Sequence, residues 1–136
     1  MIKYIIDASF VLTALSTHSD LVSSRFKEIL TLATHDKALL YTTHYFSVEV
    51  ANALRYSYDS NELVHESLLM ISSLPIIPFT LNFYQLSEVA KVAQEYKATV
   101  YDTGYHFLAL ILDGVFITCD KKYHSLAKDL GHIELI

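Results

Sequence analysis

The chain has 136 residues, of which 52% are hydrophobic and 18% are charged, and its formal net charge at pH 7 is −5. This length and hydrophobicity suffice for one buried core and exclude intrinsic disorder, which needs low hydrophobicity and high net charge. The acidic balance argues against a simple basic nucleic-acid binder. We predict one domain over residues 1–136.

The only cysteine, Cys119, excludes an intrachain disulfide. We predict that it is a buried structural thiol, and the absence of a partner fits a reducing, cytoplasmic location. No run approaches the roughly 18 apolar residues that a membrane-spanning helix needs, so we expect no membrane association. Asp7 interrupts the first apolar run early, which disfavours a secretory signal sequence.

Short apolar strands alternate with helical stretches along the chain. The run Ile2–Ile6 is rich in β-branched residues and predicts a buried strand. Ala8–Leu15 has helical composition, and Leu21–Ala33 carries apolar residues at helical gaps, with Asp20 as its expected cap. The next predicted elements are a strand at Ala38–Thr42, helices at His44–Tyr58 and Asn61–Ile71, and an extended piece at Ile76–Ile77 near a sheet edge.

The second half continues the alternation. We predict helices from Thr80 to about Tyr96 and from Asp102 to Leu112, a strand at Val115–Thr118, a helix from Asp120 to near Gly131, and a last strand at Ile133–Ile136. This pattern predicts an α/β fold with three layers, in which helices cover both faces of a central, mainly parallel sheet.

Two acidic residues follow predicted strands. Asp7 comes directly after the first strand, and Asp120 comes one residue after Val115–Thr118. Sites in open parallel sheets form beyond the carboxyl ends of the strands, so neighbouring strands would bring both carboxylates to one rim. Carboxylates suit Mg²⁺ and Mn²⁺, and a pair of such ions can activate water for phosphodiester hydrolysis.

Each acid also has a simpler interpretation. Asp7, Asp102 and Asp120 stand at predicted helix starts, where aspartate caps the helix and complements its dipole. Glu49 lies inside a predicted helix, where a solvated surface carboxylate is the alternative. Apolar Phe46 lies one turn before it, which makes that face less clearly polar.

Four short motifs contain these acids in order. They are Ile5-Ile6-Asp7-Ala8-Ser9, Glu49-Val50-Ala51-Asn52, Asp102-Thr103-Gly104-Tyr105 continuing to Leu108-Ala109, and Thr118-Cys119-Asp120. Together they resemble the motifs of the PIN-domain ribonucleases, and more narrowly those of the VapC-like toxins of type II toxin–antitoxin pairs. The resemblance spans nearly the whole chain.

The resemblance implies a three-layer PIN-like fold and metal-dependent endoribonuclease activity, in which a metal-activated water hydrolyses RNA. It implies a homodimer and a cognate antitoxin that blocks the site. It assigns as catalytic metal ligands, for Mg²⁺ or Mn²⁺, the residues Asp7, Glu49, Asp102 and Asp120. Ser9, Asn52 and Thr118 match positions whose side chains support the acids, a role that orients metal ligands.

Other polar residues remain open between two interpretations. Lys121 and Lys122 follow the last acid and can contact RNA phosphates, or they belong to a solvated helix face. His106, one turn after Asp102, can approach the site, although a lone histidine is more typical of a satisfied polar residue. Tyr45, Tyr101 and Tyr105 can stack on unpaired bases or pack in the core.

Two other functions compete with the nuclease. The low basic content favours a PIN-like RNA- or protein-binding module with little catalytic activity. A phosphotransfer protein of the receiver type would also place Asp7 at a strand end, but the adjacent acidic pair expected near the N-terminus is missing.

Overall fold

The computed structural model describes residues 1–16 and 18–136. In these residues, five strands alternate with seven α-helices. The elements in chain order are β1 (Ile2–Ile6), α1 (Ala8–Leu15), α2 (Asp20–Thr34), β2 (Ala38–Thr43), α3 (Phe46–Ser57), α4 (Asn61–Ser72), β3 (Ile76–Phe79), α5 (Phe83–Tyr96), α6 (Val100–Leu112), β4 (Val115–Thr118), α7 (Lys121–Ala127), a 3₁₀ turn (Lys128–Leu130) and β5 (Ile133–Leu135).

The five strands form one sheet in the order β3-β2-β1-β4-β5, and every pair is parallel. The central strand β1 pairs Ile5 with Tyr41 of β2 and with Phe116 of β4. The prediction of a mainly parallel sheet is therefore confirmed. Because β1 and β4 are neighbours, the residues that follow them, Asp7 and Asp120, leave the sheet at the same rim.

Side chains alternate between two helical layers along the strands. Tyr4 and Ile6 of β1 pack in a core with residues of α1 to α4, whereas Ile5 packs in a second core with residues of α6 and α7. Successive strand residues point to opposite faces, so an apolar run such as β1 needs cover on both sides. The three-layer α/β/α prediction is confirmed.

Two helix starts differ from the prediction because a neighbouring polar residue is the better cap. Ser19, and not Asp20, accepts a hydrogen bond from the backbone of α2, so Asp20 is the first residue inside that helix. The helix predicted from Thr80 begins at Phe83, since the Asn82 side chain forms a reciprocal capping box with the first turn. Several local side chains compete for these roles, and the backbone geometry selects one.

The short extended piece predicted between the prolines is an edge strand. It runs from Ile76 to Phe79 and includes Pro78, which pairs with Thr42 of β2. Proline cannot donate a hydrogen bond to a strand on its outer side, and an edge position requires none. No helix within residues 1–16 and 18–136 is long and apolar enough to cross a membrane.

The remaining boundary differences are small. The helix predicted from His44 begins at Phe46. The helix predicted from Asp120 to near Gly131 ends at Ala127 and continues as a 3₁₀ turn. The last strand ends at Leu135 instead of Ile136.

Candidate functional site

The four predicted acids share one electrostatic environment at the carboxyl rim of the sheet. Asp7 and Asp120 follow β1 and β4, Glu49 lies in the first turn of α3, and Asp102 lies in the first turn of α6. The charges of the other three acids each contribute to raising the pKa of Asp7. The fold therefore brings together carboxylates that are up to 113 positions apart in the sequence, from position 7 to position 120.

Asp7 is the most buried of the four, with 5% of its surface exposed. Burial, followed by the repulsion from the other acids, raises its pKa to about 7, although the Phe10 amide opposes that rise. The same amide donates to Asp7 Oδ1 at 2.7 Å, which caps α1. Capping and membership of the acidic group are therefore compatible for Asp7.

Asp120 is exposed and also caps a helix. Its Oδ1 accepts a hydrogen bond of 2.9 Å from the Tyr123 amide at the start of α7. Its own amide donates to the Thr118 hydroxyl at 3.0 Å. Thr118 is buried and thus supports the backbone of Asp120 in this structure.

Asp102 is not the cap of its helix. Thr99 caps α6, because its hydroxyl accepts a hydrogen bond from the Asp102 amide at 3.1 Å. The same hydroxyl lies 3.0 Å from Asp102 Oδ2 and donates to it. Burial and then the charge of Asp120 raise the pKa of Asp102, while the Thr99 hydrogen bond lowers it. The capping alternative for Asp102 is wrong, since α6 begins two residues earlier than predicted.

Glu49 is partly buried and is held by a tyrosine. The hydroxyl of Tyr105 donates to Glu49 Oε1 at 2.6 Å, across 56 positions of sequence. Burial raises the pKa of Glu49, the Tyr105 hydrogen bond lowers it, and the charge of Asp102 raises it further. Tyr105 itself is buried and stacks on Phe116 with ring centres 5.9 Å apart. Glu49 therefore belongs to a structured site and is not a freely solvated surface residue.

Sequence reasoning missed the supporting roles of Thr99 and Tyr105. The first is a local capping contact, and its signal was a threonine three positions before Asp102. The second is a hydrogen bond between side chains of two helices that are far apart in sequence, so only the spacing of Tyr105 one turn after Asp102 pointed toward it.

Solved structures with this architecture include PAE2754 from Pyrobaculum aerophilum, with a TM-score of 0.62 and 25% identity over 92% of this chain and 84% of that one. VapBC2 from Rickettsia felis, solved bound to a DNA fragment from its promoter, matches with a TM-score of 0.68 and 14% identity over 99% and 98% of the two chains. VapBC-1 from nontypeable Haemophilus influenzae has a TM-score of 0.68 and 14% identity over 98% of each chain. The protein has a VapC-like PIN fold.

At 14% identity, the two VapBC structures establish the fold alone. No family model matches the sequence, and no curated protein matches it. This fold brings the four acidic motifs, which are far apart in sequence, to one rim of the sheet.

The donor chemistry at this rim of the PIN fold suits a hard divalent cation. All four acids offer carboxylate oxygens, which Mg²⁺ and Mn²⁺ prefer, and the raised pKa values of three of them reflect burial together with mutual repulsion. In the part of the chain that the structure describes, no group of three His, Cys, Asp or Glu residues is arranged to hold an ion directly. Mg²⁺ keeps several of its waters, and water can connect an ion to carboxylates that do not converge.

The other predicted site residues lie around this group. Ser9 and Asn52 are exposed, and within the described residues neither side chain hydrogen-bonds to an acid. Lys121 and Lys122 are also exposed at the start of α7. A cleft of about 400 Å³ between α6 and α7 is lined by Lys122 together with Asp102 and Asp120. Lys97 lines the same cleft, so Lys122 is one of two lysines that border these acids.

Cys119 lies beside Asp120 but is only partly buried, so the prediction of a buried thiol is correct only in part. It packs against the core under α1 to α4. Burial and then the charge of Asp7 raise its pKa to about 11. The side chain is therefore a protonated thiol at neutral pH, which does not favour a nucleophile.

His106 is buried and has a structural role in this chain. Its Nδ1 lies 3.0 Å from the Tyr123 hydroxyl, and its Nε2 lies 2.6 Å from the Gly131 carbonyl. Burial lowers its pKa, so it favours the neutral ring. Both ring nitrogens are used, and neither contacts an acid, so the prediction that His106 can approach the site is not supported by its position.

Replacing His106 with phenylalanine should therefore destabilise the protein without weakening Mn²⁺ binding. The substitution leaves the buried Tyr123 hydroxyl and the Gly131 carbonyl without partners, at a cost of about 2 kcal/mol. Urea unfolding and calorimetric titration with Mn²⁺ would measure the two effects on the same preparation. A large loss of Mn²⁺ affinity in a folded His106→Phe protein would contradict this assignment.

Proposed function

We propose that the protein is a Mg²⁺- or Mn²⁺-dependent endoribonuclease and the toxin of a toxin–antitoxin pair. The observation that carries this proposal is Asp7, a buried carboxylate at the end of the central strand whose pKa is raised by burial and by three further acids at the same rim. A buried carboxylate close to other negative charges is unfavourable by itself, and a bound divalent cation would offset the repulsion.

The four acids would hold the ion, and the ion when bound supplies an activated water and neutralises charge on the phosphodiester. The chain's own residues orient those acids. The Phe10 amide holds Asp7, the Thr99 hydroxyl holds Asp102, and the Tyr105 hydroxyl holds Glu49. Hydrogen bonds of this kind fix ligand orientation and strengthen metal binding.

We further propose that RNA enters along the cleft between α6 and α7. Lys122 borders this cleft together with Asp102 and Asp120, so its ammonium group can contact a phosphate beside the acids. The chain has 10 lysine and arginine residues against 15 aspartate and glutamate residues. Because positive charges are few, we expect each cation near the site to contribute a larger share of the RNA affinity.

Lys122→Gln should weaken RNA binding and reduce its salt dependence while leaving Mn²⁺ affinity unchanged. Losing one phosphate contact to single-stranded RNA lowers the slope of log K against log salt by about 0.7. Fluorescence anisotropy with a labelled RNA over a series of salt concentrations measures that slope. Lys27→Gln, on α2 in the opposite layer, is the matched control, and an equal effect in both variants would show that Lys122 has no special role.

We also propose a cognate antitoxin and a homodimer. Two structures of the same fold are VapBC assemblies, which supports a protein partner for this chain. Light scattering of the purified chain would test the dimer. Co-purification with the product of a small adjacent reading frame would test the antitoxin.

The nuclease proposal is tested with purified protein, an unpaired RNA and Mn²⁺, followed by chelation with EDTA. We expect cleavage with Mn²⁺ and its loss with EDTA, and cleavage that persists in EDTA would contradict metal dependence. The binding-module alternative is favoured by the low basic content and by the lack of a ready three-ligand group in the described residues. Calorimetry that detects no Mn²⁺ binding, together with intact RNA, would support that alternative.

A further inference from the structure

Tyr45 connects the two helices that carry Glu49 and Asp102. It precedes α3, and its carbonyl accepts a hydrogen bond of 3.1 Å from the Glu49 amide. Its hydroxyl donates at 2.8 Å to the carbonyl of Tyr101, the residue before Asp102. One residue is therefore bonded to the first turn of α3 through its backbone and to the first turn of α6 through its side chain.

The phenol of Tyr45 fits against α6 because position 104 is a glycine. A Cβ atom at Gly104 would overlap the Tyr45 hydroxyl and would lie 3.3 Å from the Tyr45 ring carbon that bears it. Glycine inside a helix is unfavourable compared with alanine. At this position the missing side chain leaves the space that the phenol occupies.

Side chains provide the main connection between α3 and α6. The two helices make little direct backbone contact, whereas both belong to the rim that holds the acids. The Tyr45 ring packs edge-on against Tyr101 and Tyr105, with ring centres 5.5 Å and 5.4 Å apart. Burial raises the pKa of Tyr45, so the phenol remains a hydrogen-bond donor at neutral pH.

We propose that Tyr45 is a positioning residue whose phenol, seated against Gly104, sets the separation between Glu49 and Asp102. Tyr105 hydrogen-bonds to the Glu49 side chain directly. Tyr45 instead hydrogen-bonds to backbone groups in the first turns of the two helices that carry the acids. The consequence for metal binding rests on the proposed nuclease function, but the geometric role of Tyr45 does not.

The test uses Tyr45→Phe, Gly104→Ala and the double variant. In metal-free Tyr45→Phe, we expect the amide resonances of both Glu49 and Asp102 to shift, and we expect Mn²⁺ affinity to fall roughly tenfold. Gly104→Ala should weaken Mn²⁺ binding further, since the added methyl group displaces the phenol. Adding Tyr45→Phe to Gly104→Ala removes the overlapping hydroxyl and should return Mn²⁺ affinity to the level of Tyr45→Phe alone.

Two matched controls separate positioning from general destabilisation. Gly114→Ala would place a Cβ 2.7 Å from the Lys3 carbonyl, remote from Tyr45, and should not be rescued by Tyr45→Phe. Tyr41→Phe changes another tyrosine that packs against the α6 side of the sheet and should leave both acid amides unshifted.

Unshifted Glu49 and Asp102 amides in Tyr45→Phe, or a double variant no better than Gly104→Ala, would overturn the positioning role. The same holds if Tyr45→Phe rescues Gly114→Ala equally well. Wild-type protein that binds no Mn²⁺ would overturn the nuclease proposal instead. In that case two measurements on metal-free protein still decide the role of Tyr45. They are the shifts of the two amide resonances and the melting temperatures of wild type, the two single variants and the double variant.

Discussion

Replacing Asp7 with asparagine should abolish metal-dependent RNA cleavage and, at the same time, make the metal-free protein more stable above neutral pH. Asparagine keeps an oxygen that can accept from the Phe10 amide, so the cap of α1 is retained. It removes the buried charge that an ion would need. A loss of several kcal/mol of charge stabilisation lowers the rate by about 10²-fold or more.

The gain in stability follows from the pKa of Asp7, which burial raises from 3.8 to about 7. The folded protein therefore keeps a proton that the unfolded chain has already released. The protonated Asp7 carboxyl therefore contributes its full share to the free energy of unfolding below about pH 4, and this contribution is lost as the pH rises through about 7. The ionised form costs the folded state at most ~4 kcal/mol, and burying the amide of asparagine offsets part of the gain, so we expect about 2 kcal/mol at alkaline pH.

Urea unfolding of metal-free wild-type protein and Asp7→Asn over a range of pH values would measure this difference. His106 acts in the opposite sense, because burial lowers its pKa, and comparing the two proteins cancels its contribution. Asp113→Asn is the matched control, since the Asp113 side chain is 93% exposed. A constant stability difference across the pH range would show that Asp7 does not titrate as its burial implies. Full cleavage by Asp7→Asn would contradict its role as a ligand.

Mn²⁺ should stabilise the folded wild-type protein and have little effect on Asp7→Asn. A ligand that binds only the folded state adds ~2.7 kcal/mol to the free energy of unfolding at about 100 times its dissociation constant. The effect should be largest above neutral pH, where Asp7 is ionised and the ion competes with no proton.

Thermal melts with Mn²⁺, with Mg²⁺ and with EDTA would test this expectation, and EDTA should reverse the gain. Asp113→Asn should respond to Mn²⁺ as the wild type does. An equal rise in melting temperature for wild type and Asp7→Asn would indicate binding elsewhere on the surface. No rise in either protein would contradict a metal site at this rim.

The two predictions describe one compromise. Asp7 destabilises the metal-free fold because its charge is buried near three other carboxylates. A bound ion would remove this destabilisation by pairing with the carboxylate. Sites tuned for function commonly lower stability in this way. The hydrogen bonds from Thr99 and Tyr105 lower the pKa values of Asp102 and Glu49 and so reduce the cost at those two positions.

Local features of the sequence were enough to locate the strands and two of the acids. The runs Ile2–Ile6 and Val115–Thr118 were predicted at their observed bounds, because short β-branched stretches ending at an acid carry their signal within a few residues. For the same reason Asp7 and Asp120 were correctly expected to follow strands and to serve as caps. Helix starts were less accurate, since Ser19, Asn82 and Thr99 cap helices that were predicted to begin elsewhere.

By itself, the sequence determined the alternation of strands and helices and the α/β class, and it predicted the four acids as one ordered set. Only the tertiary structure decided that β1 and β4 are neighbours, that Tyr105 bonds to Glu49, and that the Tyr45 phenol occupies the space left by Gly104. Strands and caps depend on residues a few positions apart, whereas these contacts join residues more than 50 positions apart. Their geometry depends on how whole layers pack, which no local pattern contains.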